Sequence, residues 1–227
     1  KQLDDLIPYK VDNIRIRYFG ENIAKGFATG LDMKLNGQFI PGIESWVGAS
    51  VMTIQEDLKD DLYYLRYNAA GDTIRPGFTT DQEAVDSTRF EPGYIPRPTD
   101  QRVNVALFFQ DEMPRWPTFK VQLSLVFGTG LPFGPPEADR YADTLRTSLY
   151  RRVDIGFSKQ LLGAKGQEKT NWLRHINDLW LSLEVFNLLN INNTIDHTWI
   201  TDVSGRQYSI PDFLTPRRFN FKVMAWF

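Results

Sequence analysis

The sequence predicts an all-β protein, read as an antiparallel transmembrane β-barrel of about eight strands, and three observations carry that expectation. The dominant periodicity is two, so successive side chains alternate between an apolar and a polar face. No run of about 18 or more apolar residues occurs, so no transmembrane helix is expected. Short connections alternate with long polar ones, which sorts the loops onto two ends.

Composition narrows the classes first. The chain has 227 residues, enough for one sizeable domain, and no linker divides it, so 1–227 is read as one unit. Hydrophobic residues are 42% and charged residues 24%, which excludes disorder by composition. A net charge of -2 argues against a nucleic-acid partner, whose binding surface is usually strongly basic. The absence of cysteine excludes disulfides, Cys-ligated zinc and thiol catalysis. A mean hydropathy of -0.36 resembles a soluble domain. A barrel strand also reads as polar, because only every second residue meets lipid. The chain opens at Lys1 without Met or signal peptide, so a processed product or part of a longer chain is expected.

Taken in order, Ile14, Ile16 and Tyr18 alternate with arginines, and Leu31, Met33 and Leu35 with Asp32 and Lys34. Residues 43–56 place Val47, Ala49 and Val51 on one face. Val103, Val105, Leu107 and Phe109 form the next apolar stripe, then Phe119, Val121, Leu123 and Leu125. Val153, Ile155 and Phe157 follow, then Leu179, Leu181, Leu183 and Val185. The last and cleanest stripe is Phe219, Phe221 and Val223, running to Phe227. Connections at 36–42 and 114–117 are short and turn-like, whereas 57–100, 131–148 and 190–216 are long, polar and rich in Gly, Pro, Asp and Asn. The 162–178 connection is longer than this scheme expects on the short-turn side.

Alternation alone fits a soluble β-sandwich binding module as well as a barrel, since a half-buried soluble strand alternates too. The polar face favours the barrel: Arg102, Lys120, Arg152, Asp154, Glu184 and Lys222 suit a hydrated or plugged lumen. Closure also answers a backbone problem, because an unpaired N–H or C=O in hydrocarbon costs several kcal/mol. The chain stops on Phe227 at the end of an alternating strand. Phe219, Phe221, Val223 and Phe227 are therefore read as the signal for the barrel-assembly machinery, and the localisation as the bacterial outer membrane.

Leu183 to Asn190, then Thr215-Pro216-Arg217-Arg218 leading into 219–227, resembles the last two strands of TonB-dependent receptors, the outer-membrane transporters. The stretches Gly128 to Pro135 and Tyr150 to Gly156 resemble the preceding strands. Gly26 to Asp32, Asn36-Gly37 and Ser45-Trp46-Val47 extend the likeness over most of the chain, closest to Bacteroidota-type receptors. The resemblance implies the carboxy-terminal part of a barrel of about 22 strands. It implies TonB-dependent transport of a siderophore, oligosaccharide or peptide, with partners in outer-membrane lipid, TonB, and the plug and earlier strands of the same receptor. Neither plug nor TonB box is visible in this sequence. Some such barrels act as scaffolds with a surface lipoprotein, which is the alternative function.

No catalytic constellation is evident, so no enzyme, cofactor or metal is expected. His175 and His197 stand in separate connections, and the acidic runs Asp57, Asp60, Asp61 and Asp81, Glu83, Asp86 lack calcium-loop spacing. Tyr63, Tyr64, Arg66, Tyr67, Arg75, Phe90 and Tyr94 stud the longest loop, where aromatics and arginines hold a ligand or partner, or else pack the loop on itself. Trp46, Trp116, Trp180 and Trp226 are expected near strand ends on the short-turn side, in an interfacial belt, with a lumen position open for Trp180 and Trp226.

Overall fold

A computed structural model describes residues 1–12, 15–40, 43–113, 115–136, 138–163 and 175–227. Its elements are β1 (Gln2–Leu6), β2 (Tyr9–Asp12), β3 (Arg15–Tyr18), β4 (Ala24–Ile40), β5 (Ile43–Leu58), β6 (Tyr63–Tyr67), β7 (Asp86–Phe90), β8 (Ile95–Pro96) and β9 (Val103–Met113). There follow β10 (Trp116–Gly128), β11 (Pro132–Phe133), β12 (Leu145–Arg146), β13 (Tyr150–Leu162), β14 (Asp178–Phe186), β15 (Thr194–Thr201), β16 (Gln207–Phe213) and β17 (Arg218–Trp226). One 3-10 turn, Arg140–Ala142, lies between β11 and β12, and no α-helix is present among the described residues. The protein is all-β.

Nine strands form one antiparallel sheet in the order β1-β4-β5-β9-β10-β13-β14-β17, with β8 added beside β5. The sheet is open: β1 and β17 are its edges. Every predicted stripe except the first lies in this sheet. Four small hairpins, β2–β3, β6–β7, β11–β12 and β15–β16, rise from the connections that leave one end of it. At the opposite end β4 pairs on into β5, β9 into β10 and β13 into β14. Gly42, Pro114 and residues 164–174 lie outside the described residues, as does Ile14.

The stripe at 14–18 is a correction. Residues Arg15–Tyr18 pair with β2 in a separate hairpin, and β1 holds the sheet edge instead. The place beside β4 is taken by β1, whose register runs from Gln2 opposite Phe27 to Leu6 opposite Ala24. The edge strand escaped notice because its pairing shifts between Leu3 and Leu6, and Asp5 has φ of 51°. That bulge destroys the alternation on which a periodicity reading depends. The long loops also differ from expectation, since each carries a hairpin.

Register shows how the two faces are built. One row runs Leu35-Val47-Leu107-Leu125-Val153, another Phe109-Leu123-Ile155-Val185-Phe219, another Val121-Phe157-Leu183-Phe221. These rows join into one apolar face. The charged residues of that parity stand at its margins, Lys25, Asp57 and Arg151 at the loop end, Asp111 and Lys159 at the turn end. Little covers the face: Leu35 is 70% exposed, Phe219 72% and Phe221 65%.

The other face carries the rows Gln110-Gln122-Gly156-Glu184-Asn220 and Glu112-Lys120-Ser158-Ser182-Lys222. Its groups satisfy one another. Glu184 accepts hydrogen bonds from Gln122 (3.1 Å) and Asn220 (2.8 Å) and pairs with Lys222 at 3.4 Å. Lys120 meets Glu112 at 3.0 Å, Arg152 meets Asp154 at 2.8 Å, and the Ser158 and Ser182 hydroxyls bond at 2.8 Å.

Two glycines, one at each end of the sheet, show how differently those ends pack. A Cβ at Gly130 would collide with the backbone carbonyl of Thr147, whereas one at Gly37 would meet nothing within 4 Å. Gly130→Ala is expected to cost about 1–3 kcal/mol by overpacking, and Gly37→Ala to be neutral within about 0.5 kcal/mol. Thermal unfolding of the two variants side by side checks this.

Candidate functional site

The loop end gathers the chemistry-bearing side chains that the sheet faces do not use. Hydrophobic contact starts it. Ala24, Leu58 and Ile95 are buried together with Leu6 and Tyr141 against them, on the polar-face side of β4 and β5. Tyr141 also meets Tyr63 (ring centroids 4.5 Å) and Phe90 (5.3 Å), which face each other across the β6–β7 hairpin.

Beside this cluster lies a buried ion network. Glu56 is fully buried on β5, in the same parity as Ser50 and Met52. It takes Arg140 Nε at 3.1 Å and Nη2 at 2.9 Å, and its other oxygen faces Arg97 at 3.3 Å. Arg140 Nη2 also donates to the Pro96 carbonyl at 2.7 Å. Lys10 donates to the carbonyls of Pro135 and Ala138 and stands 3.4 Å from Asp143. Asp100, also fully buried, accepts the Ile54 amide (2.6 Å), Arg102 Nε (2.8 Å) and a short contact from Arg146. Isolated buried charges would be expelled, so each pair exists only with its partners.

Burial opposes ionisation of Asp100, but the Ile54 amide, Arg146 and Arg102 outweigh it and hold its pKa below the ordinary value. At Asp143 burial wins over Lys10 and Arg140, and the pKa is raised. The two act with opposite sign. Stabilisation from Asp100 is complete above its unfolded pKa of about 3.9 and is lost as pH falls through its lower folded value. Asp143 instead favours folding as pH falls through its raised value. His197 is pushed down by burial, against Asp196 and Asp212. Its ring lies flat on Phe133, centroids 3.9 Å apart, and joins the β15–β16 hairpin to β11.

A second knot explains the Phe-Asn-Leu-Leu-Asn stretch. Asn187 and Asn190 have φ of 51° and 53°, the left-handed region that Asn tolerates better than most residues. Asn187 is buried; its amide donates to Asp154 Oδ1 (2.8 Å), its Oδ1 accepts the Ile191 amide (3.1 Å) and its Nδ2 donates to the Ile191 carbonyl (3.0 Å). Asn190 Oδ1 accepts the Arg217 amide at 2.9 Å. Asn193 Oδ1 accepts the Arg151 amide at 2.7 Å, and its Nδ2 donates to the Arg151 carbonyl at 2.9 Å. The motif ties the start of the last long loop to β13 and, through Asn190 and Arg217, its two ends to each other, so Asp154 serves as a structural acceptor.

The predicted site residues separate into groups. Lys120, Arg152, Asp154, Glu184 and Lys222 share the polar face, and Arg102 stands at its loop end against Asp100. Tyr63 and Phe90 pack internally, while Tyr64 and Arg66 are exposed. Tyr67 pairs with Asp86 at the far end of the hairpin. The Arg75 amide donates to Thr79 Oγ1 in a local turn, and Tyr94 stacks edge-on with Phe27. Phe219, Phe221 and Val223 lie exposed on edge strand β17, and Phe227 follows it. Trp46, Trp180 and Trp226 share parity with the polar face, so a belt on the apolar face does not describe them. Lys34 sits over Trp46, and Lys120 over Trp180. His175 is exposed.

Sequence reading missed Lys10, Glu56, Asp100, Arg140, Asp143 and Arg146. One signal was present: Glu56 keeps polar-face parity in β5 where its neighbours Ile54 and Leu58 are apolar. Compared with protein-family models, with curated proteins and with solved structures, the chain returns no match in any of the three.

Removing one partner of a buried pair strands the other. Glu56→Ala is expected to cost about 3–5 kcal/mol by chemical unfolding, and Arg89→Ala, on an exposed pair with Glu91, less than about 1 kcal/mol. Asp100→Asn should flatten the acid limb of the stability profile below about pH 4, where the native carboxylate loses its charge-assisted bonds. Unfolding midpoints measured from pH 3 to 7 decide this; an unchanged acid limb would contradict the assignment.

Proposed function

We propose that this chain is part of a bacterial outer-membrane β-barrel, the carboxy-terminal part of a TonB-dependent-type transporter. The apolar face meets acyl chains, the polar face lines a lumen, and the hairpin-bearing end faces the exterior. One observation carries the reading: a continuous apolar face stays uncovered across the sheet, while the opposite face is polar with its charges paired. A soluble sandwich needs a second sheet over the apolar face. The described residues supply four small hairpins instead, all at the loop end.

Two further features support it. Strands β9 and β10, with 11 and 13 residues, are long enough to cross a bilayer at a tilt, a crossing that takes about 9–11. Edges β1 and β17 are paired on one side only, and in hydrocarbon each must find a further strand. A longer barrel provides one. The resemblance of the Asn187–Asn190 region and of 215–227 to TonB-dependent receptors supplies the transport assignment, with passage of a siderophore, oligosaccharide or peptide past a plug. The transport reading calls for no chemistry on the substrate.

A scaffold barrel bound to a surface lipoprotein is the second reading. The mutual pairing of the polar-face charges favours it, because such a face suits a lumen filled by protein as well as by water. Reconstituting the purified full-length protein in vesicles and measuring TonB-linked ligand uptake separates the two.

The membrane orientation has its own test in neighbouring residues. Leu123→Arg is expected to cost roughly 2–4 kcal/mol in phospholipid vesicles, and Ser124→Arg on the other face under about 1 kcal/mol. Equal costs at the two positions, or a protein that folds as a monomer in water, would count against the barrel.

A further inference from the structure

The sheet divides at its turn end. Strands β5 and β9 pair from Val51 opposite Val103 to Trp46 opposite Phe108, and their ladder stops there. Each strand then runs on with its own hairpin partner. β5 stays paired to β4 as far as Ile43 opposite Ile40, and β9 to β10 as far as Met113 opposite Trp116. The two hairpins therefore part where the ladder ends. At the head of the gap the hydroxyl of Ser45, 3% exposed, accepts the Gln110 amide at 3.3 Å.

A cleft of about 580 Å³ lies at this parting. Leu35, Val47, Phe109 and Leu123 of the apolar face line it, with Trp46 and Phe108 of the opposite parity. Gly37 completes the wall, and a Cβ there would meet nothing within 4 Å. Walls of this composition hold hydrocarbon better than water.

One charged group marks the margin of the cleft. Asp111 is the next residue of the apolar face on β9 after Phe109, about 7 Å further toward the turn end. The row it opens, Asp111-Val121-Phe157-Leu183-Phe221, is otherwise apolar. Among the described residues its Oδ1 is buried with no hydrogen-bond partner, and no cation pairs with its carboxylate. A buried acceptor left unpaired is costly, and a cationic donor brought from outside relieves that cost.

We propose that this cleft binds one phospholipid whose headgroup carries a primary ammonium, as in phosphatidylethanolamine. One acyl chain fills the space between the two hairpins, and the ammonium donates to Asp111. The proposal rests on the barrel reading, which puts the apolar face against acyl chains, and it adds a choice among lipids that a uniform apolar face would not make. A chain lying along the strands with its head toward the turn end brings the headgroup level with Asp111. Phosphatidylglycerol offers the same chains but no ammonium, and it sets its phosphate against the carboxylate.

Native mass spectrometry of the full-length protein in mild detergent, titrated with phosphatidylethanolamine or phosphatidylglycerol of identical chains, tests this. One phosphatidylethanolamine should be retained, with an affinity on the order of tenfold above that of phosphatidylglycerol. Asp111→Asn should bring the two lipids within about twofold of each other. Gly37→Phe, whose Cβ has open space, puts its ring into the cleft and should weaken both lipids by on the order of tenfold. Equal affinities in the unaltered protein, or an Asp111→Asn variant that keeps the preference, overturn the headgroup contact. Retention unchanged by Gly37→Phe overturns the cleft as the place of the chain. Failure of the site and failure of the membrane reading remain distinguishable. A negative titration with unequal costs for Leu123→Arg and Ser124→Arg rejects the site alone, and one with equal costs rejects the barrel reading beneath it.

Discussion

Everything in this fold depends on a two-residue alternation sustained across hydrogen-bonded strands. Because side chains in a strand point alternately to its two faces, register alone assembles Leu107, Leu125 and Val153 into one surface and Gln122, Glu184 and Asn220 into the other. A slip of one residue anywhere would mix them. The apolar surface has no partner within the described residues, and the polar surface needs none, since Glu184, Lys222 and their neighbours satisfy one another. Such a sheet is unfavourable in water on one face and in hydrocarbon on the other. A ring of strands between lipid and an aqueous interior resolves both.

The loop end solves a different problem. Long connections carry backbone groups that a short hairpin cannot pair, so side chains take over. Asn187, Asn190 and Asn193 supply carbonyl and amide groups at the base of the last loop. Glu56 and Asp100 collect guanidinium groups from two separate connections, Arg97 and Arg102 from one and Arg140 and Arg146 from the other. These are costly groups to bury, and they hold only as complete sets. The result is a base of buried ion pairs beneath more exposed hairpin tips.

The sheet was legible in the sequence because nearly every long strand alternates cleanly; Phe119 to Leu125 and Phe219 to Val223 could be placed on faces without coordinates. The edge strand was not, because Asp4 and Asp5 interrupt its pattern at a bulge. In its place Ile16 and Tyr18 alternate equally well in a hairpin that stands off the sheet. Periodicity reports a strand, not its partner. The loop aromatics were visible as a group, but their division was hidden: Tyr63 packs on Tyr141, a residue 78 positions away in sequence, while its neighbour Tyr64 is exposed. Ion pairs such as Glu56 with Arg140 share no local pattern, since their separation is fixed by topology alone. The Asn-Leu-Leu-Asn stretch was noticed as a motif, and its cause is the left-handed backbone at its two asparagines.

The claim that the apolar face looks into acyl chains is tested most directly on β17, by nitroxides placed singly at positions 219 to 224 of the full-length protein in phospholipid bilayers. Relaxation by oxygen, which concentrates in hydrocarbon, should be strong at Phe219, Phe221 and Val223. Relaxation by a water-soluble nickel chelate should dominate at Asn220, Lys222 and Met224. A profile without this alternation, or one in which the chelate reaches the Phe219, Phe221 and Val223 positions as freely as their neighbours, would contradict the account.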